Sequence, residues 1–178
     1  MTAAPRMTTR DQAEWLVRLW LDASNLRSAV RWAIDSGEVD LAQRAIASLW
    51  RFWQADGRLH EGRALAAEAL AMPGGEGVTA TRMWAVGAAG SIGYWQGDLE
   101  ESQRRYDEEL EIALALDDAA GIADAYFNLG HLLYLYHQDE ASLHESEART
   151  RQAYEALGDE RGVARVQWAL GTMALGAG

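Results

Sequence analysis

Apolar residues return along this chain at intervals of three and four, and small or polar breakers interrupt them at steady steps. Leu41, Ala45, Ile46, Leu49, Trp50 and Trp53 fall on one helical stripe, as do Leu129, Leu132, Leu133 and Tyr136. That spacing follows the turn of an α-helix, not the alternation of a strand. The breakers are Gly37, Gly57, Pro73-Gly74-Gly75, Gly97, Asp117-Asp118, His137, Gly158 and Gly178. They stand about 20 residues apart, with one short and one long step around Pro73. Each unit reads as one helix and a tight turn. The pattern predicts helices over 11–34, 38–55, 58–71, 78–96, 98–116, 119–136, 139–157 and 160–175. Thr9 or Asp11 is placed to cap the first, and Ser24 or Asn25 can cap a new helix in the middle of that run. Residues 1–10 read as a disordered tail. Residues 72–77, Met-Pro-Gly-Gly-Glu-Gly, read as a loop within one domain spanning 11–178.

Short connections make antiparallel neighbours, so two units form a hairpin. Hairpins are expected at 38–71, 78–116 and 119–157, followed by an unpaired helix at 160–175. The hairpin recurs: Gly57, Gly97 and His137 are 40 residues apart, and Gly121-Ile122-Ala123 returns as Gly162-Val163-Ala164. One hairpin cannot cover its own apolar face, so a repeat of this length predicts an all-α fold, an α-solenoid of stacked antiparallel pairs with about eight helices. The last helix either caps the stack or continues into a longer protein. Val163, Val166, Trp168, Leu170 and Met173 are many apolar residues for a solvent-facing cap and favour the second.

Composition narrows the chemistry. The 178 residues suffice to bury a core, and two Pro are too few for a turn-rich β fold. No Cys is present, which excludes disulfides, thiolate metal sites and cysteine catalysis. All 16 basic residues are Arg, so Schiff-base and phosphate-loop lysines are excluded as well. A formal charge of -11 argues against nucleic acid or an anionic membrane as the main partner. No apolar run reaches the ~18–20 residues of a membrane span, and Met1–Arg6 lacks a secretory core, so a cytoplasmic location is expected.

Tyr94-Trp95-Gln96-Gly97-Asp98-Leu99, with a small residue at Ser102 and an aromatic at Tyr106, resembles a tetratricopeptide repeat (TPR). Asn128-Leu129-Gly130 and Tyr134 repeat the register, Gly130 falling where two helices cross closely. The repeat is longer than usual for this family. It is similar to the variant in the C-terminal superhelical regions of bacterial signal-transduction NTPases, including many LuxR-type transcription regulators. Asn25–Ala33, Leu49-Trp50-Arg51-Phe52-Trp53 and Glu61-Gly62-Arg63 look like the start of such a region. The resemblance implies a right-handed superhelix whose first helices line a concave binding face. Carried over by register, that face takes Arg44, Ser48, Arg51 and Gln54, then Trp84, Ser91, Tyr94 and Trp95. It continues with Asp124, Phe127, Asn128, His131 and Tyr134, then Arg165, Trp168 and Thr172. Asn128 resembles the amide that grips a peptide backbone in this family. Aromatics, Arg and amides together suit a protein or peptide partner, or a small effector. The competing reading is that these side chains only pack between helices.

Other features have plain readings. Gly87, Gly90 and Gly93 form a line suited to close helix approach or to the floor of a groove. Trp15, Trp20, Trp32, Trp50 and Trp53 read as core, or as a patch for an upstream domain or a second copy. Residues 98–124 hold ten acids and two bases, read as a solvated helix face or a strip for a basic partner. His137, Glu140 and His144 make no metal motif, and no nucleophile elbow or phosphate loop is present, so no catalytic residue, metal or cofactor is expected. The resulting expectation is a non-catalytic binding module of a bacterial regulator. The alternatives are a self-associating scaffold and a stand-alone adaptor, with homodimerisation through an open end of the solenoid.

Overall fold

The computed structural model describes residues 12–137 and 140–167, and all regular structure among them is helical. The order is α1 (Gln12–Leu21), α2 (Ala23–Asp35), α3 (Val39–Ala55), α4 (Leu59–Leu70), α5 (Ala80–Trp95), α6 (Leu99–Ala115), α7 (Ala119–His137) and α8 (Glu140–Ala156). A last helical run, α9, covers 160–167. The predicted first helix is two helices. The break falls at Asp22, so Ser24 and Asn25 lie inside α2 and cap nothing. It is a shallow break. Asp22 N still donates to Arg18 O at 3.2 Å and Leu26 N to Asp22 O at 2.9 Å, so the hydrogen-bond ladder runs through it.

One turn is used five times. The amide of Glu38 reaches back to Ala33 O at 2.8 Å, Arg58 to Trp53 O at 2.8 Å, and Asp98 to Gly93 O at 3.0 Å. Asp118 reaches Ala113 O at 3.0 Å and Asp159 reaches Tyr154 O at 2.9 Å. These are the backbone bonds of a helix end closed by a left-handed residue. Gly37, Gly57, Gly97 and Gly158 supply that residue, while Asp117 adopts it at φ 53 without a glycine. The periodic breakers of the sequence are therefore periodic helix ends.

Tertiary contacts gather into two compact units, divided between Arg105 and Tyr106 within α6. In the first, each helix packs on the next and on the next but one: α1 on α2 and α3, α2 on α3 and α4, α3 on α4 and α5, and α4 on α5. Ile46, Met83, Val86 and Ile92 are fully buried, with Phe52 and Trp53 beside them in the core. Gly62 admits the Trp53 ring, since a Cβ there would stand 2.7 Å from its Cε3. At Gly93 a Cβ would stand 2.9 Å from Ser102 Oγ, which itself donates to Gly90 O at 3.0 Å. That end of the glycine line is a close helix approach. Of the five clustered tryptophans only Trp53 is buried in the core. Trp20 and Trp32 are 63% and 58% exposed, so the core reading fails for them: no described neighbour covers their rings.

In the second unit α7 packs on α8. Ala123, Tyr154 and Val166 form its centre, with Phe127, Ala153 and Val163 packed against them. A Cβ on Gly130 would stand 2.5 Å from Ser146 Oγ, the close α7–α8 crossing that the sequence places there. A Cβ on Gly162 would run into the Tyr154 ring. Among the described residues no helix is long and apolar enough to cross a membrane.

Candidate functional site

The register of α7 puts Asp124, Phe127, Asn128 and His131 three to four residues apart, hence on one helix face. Arg165 of α9 meets them there. Its Nη2 donates to Asp124 Oδ1 and to the Tyr154 hydroxyl. Tyr154 Oη donates in turn to Asp124 Oδ1 at 2.5 Å. The guanidinium lies 4.1 Å from the centre of the Phe127 ring, and that ring lies 4.7 Å from the imidazole of His131. A cation over an aromatic face is attracted by the ring quadrupole, more so once water is displaced. Arg165 Nε is buried and has no hydrogen-bond partner among the described groups. Beneath this layer Glu109 of α6 is only 2% exposed, and Asn128 Nδ2 approaches its Oε2 at 3.5 Å.

Electrostatics assign the protons. Burial, and then the neighbouring Asp124 carboxylate, push Glu109 up to about 8, against the smaller opposing pulls of Asn128 and Arg165. At neutral pH it is a carboxylic acid. Burial raises the Tyr154 hydroxyl, and Asp124 adds to the shift, so it stays a donor. Burial also lowers His131, which is neutral at pH 7. Its Nδ1 lies 3.4 Å from Phe127 O, an acceptor, and so carries the proton, which leaves Nε2 as an acceptor. The cluster therefore holds one ion pair, Asp124 with Arg165, among neutral donors and acceptors. Such a set can offer hydrogen bonds to polar groups and carries no net charge.

The residues assigned to the first unit do not converge in this way. Arg44 is exposed and held by Asp40 of its own helix. Arg51 lies 4.3 Å over Trp50. Ser91 is buried, which closes it to a ligand. Ser48, Gln54, Trp84 and Tyr94 are half-buried, Tyr94 meeting Trp95 edge-on at 5.9 Å. Trp95 is half-exposed and, with Gly57, Leu59, His60, Arg63 and Gln96, lines an open cleft of about 540 Å³. A groove of about 480 Å³ runs between α2 and α4. The side chain of Tyr134, together with Trp168 and Thr172, lies outside the described residues.

Two members of the cluster were missed. Tyr154 sits on a second helix, outside the set that the resemblance carries over. Glu109 belongs to the acidic run read as solvated, and for this residue that reading is wrong. It shares a buried line with Ser102, Tyr106 and Ala113, and that register was its signal. Among the described residues no group of three His, Cys, Asp or Glu is placed to hold a metal ion. No family model matches the chain, and no curated protein matches it significantly.

Proposed function

We propose that the chain is a non-catalytic recognition module built of stacked TPR-like helix pairs, the sensor or partner-binding region of a bacterial signal-transduction or transcription regulator. Its α7 face, with Arg165, binds a peptide segment or a small polar effector. The observation that carries this reading is the meeting of Asp124, Phe127, Asn128, His131 and Arg165 in one polar cluster. Each belongs to the face that the TPR resemblance implies when it is carried over by register. Further support comes from the first unit, where α1, α2 and α3 each touch the next helix and the next but one, as layered pairs do. Asn128 and His131 Nε2 offer the donor and acceptor that a peptide backbone requires, and Phe127 offers an apolar wall. Binding favours one arrangement of the parent protein by the difference in affinity between its states.

A phage-displayed random peptide library tests this. The wild-type chain is expected to enrich a peptide family that an Asn128→Ala/His131→Ala variant does not retain, while the variant keeps its helical circular dichroism and unfolds cooperatively. Peptides held equally well by both chains would remove the α7 face from the proposal. So would a library in which nothing is enriched.

A further inference from the structure

Helix α1 is apolar on two sides. On one side Leu19 is buried, with Trp15 and Leu16 half-buried beside it, where α1 meets α2 and α3. On the other side Ala13, Val17 and Leu21 follow at i, i+4 and i+8, with Trp20 along one edge. Val17, Trp20 and Leu21 are 59%, 63% and 70% exposed. A surface helix is ordinarily apolar on a single stripe, so a second stripe signals a second contact. The opposite edge of this outer face carries the only two charges of α1, Glu14 and Arg18, one turn apart and paired at 2.5 Å.

We infer that this face is a homodimer interface, in which α1 packs antiparallel on α1 of a second copy about a two-fold axis beside Val17. The pattern of the face is complementary to itself. A two-fold perpendicular to the helix reverses its direction and keeps each edge against its own counterpart. Glu14 then comes beside Arg18 of the second copy, and Arg18 beside Glu14 of the second copy. The small Ala13 sits opposite the large Leu21. The two Trp20 rings share the remaining edge. A parallel pair would set the charged edge against Trp20 and lose every one of these matches. The three large side chains expose on the order of 350 Å². A standard interface covers about 800 Å² per partner, so this dimer is weak and reversible, with a Kd of roughly 10–500 µM. It is independent of the α7 face, which belongs to the other unit.

Sedimentation equilibrium of the 178-residue chain from about 5 µM to about 500 µM is the test, over the range set by that Kd. The expected result is a monomer–dimer equilibrium with no larger species. Trp20→Glu should weaken it at least ~10-fold with unchanged helical circular dichroism. Glu14→Arg and Arg18→Glu, each alone, place like charges across the two-fold and should dimerise less than wild type. An equimolar mixture of these two variants should regain dimer, because the pairs across the axis are again opposite in sign. A chain that is monomeric throughout overturns the inference, and leaves α1 to a different protein. Open-ended assembly, indifference to Trp20→Glu, or no gain on mixing overturns it equally.

Discussion

The two units are built from the same helix and the same turn, yet they treat charge in opposite ways. In the first, no described charged side chain is buried. Arg27 grips Glu61 with two bonds of 2.7 Å, Arg31 holds Glu68, and Arg63 holds Asp98 at 2.5 Å, each pair strapping one helix or turn to another across the surface. The chief buried polar side chain in that interior, Gln43, is satisfied by Gly75 O at 2.9 Å. In the second unit Glu109, Glu147 and Tyr154 are buried, with the ion pair of Asp124 and Arg165 half-buried beside Tyr154. Dry packing is enough to hold helices together, so a polar interior needs another reason. The proposed recognition role supplies one: groups that bind a polar ligand work best when already desolvated and held in place.

The difference has a sign in pH. The hydrogen bond from Arg31 holds the Glu68 carboxyl below its usual range, and the bond from Arg63 does the same for Asp98. Such groups stabilise the fold above their unfolded value, and the gain is lost as pH falls through the folded one. Glu109 runs the other way. Its folded value of about 8 lies above the ordinary 4.5, so the folded state holds a proton that the unfolded chain has released. Stability contributed by the protonated acid is complete below pH 4.5 and is lost as pH rises to about 8. The full span corresponds to about 5 kcal/mol at most. The largest effect expected here therefore comes from Glu109→Gln, which is neutral at every pH. Urea melts at intervals from pH 5 to pH 9 should show wild-type stability declining toward alkaline pH and a clearly smaller decline in the variant, where the raised Glu147 carboxyl remains. Parallel curves would mean that Glu109 is ionised in the fold, and the contrast between the units would disappear.

A dry-core deletion is the matching experiment in the first unit. Ile46 is fully buried on α3. Ile46→Ala should cost about 3 kcal/mol through lost burial and a residual cavity. No titratable group is involved, so the loss should be the same at pH 5 and pH 9. A loss that varied with pH would show that the units do not divide their electrostatics as the structure indicates.

The contrast also explains what the sequence disclosed. Helix ends were legible because a left-handed residue after each helix is a local demand, met by Gly37, Gly57, Gly97 and Gly158. Asp117 was legible from spacing. The face shared by Asp124, Phe127, Asn128 and His131 was legible because helical register is local too. Arg165 was placed by carrying that register one repeat further. Glu109 was not, since a glutamate among glutamates looks solvated until tertiary packing chooses its side of the helix. Tyr154 was hidden for a similar reason: its hydroxyl acquires a role only when Asp124 and Arg165 arrive from other helices. Trp20 and Trp32 failed in the other direction. Size and apolarity argue for burial, and only the arrangement of neighbours shows which rings are left uncovered.

The smallest effect belongs to the surface straps. Arg63→Ala removes the largest influence that lowers the Asp98 carboxyl and leaves the bond from the Glu101 amide. Because both partners are well exposed, water and salt already screen the pair. At pH 7 the melting midpoint should stay within experimental scatter of wild type. The change should appear only on acidification, as unfolding that begins a few tenths of a pH unit closer to neutral, and ~1 M salt should erase it. That response is opposite in sign to the alkaline loss assigned to Glu109, so the two variants measured together separate surface pairing from interior protonation. An Arg63→Ala chain that lost stability mainly above pH 7 would place Arg63 in the wrong class and tie the first unit to the chemistry of the second.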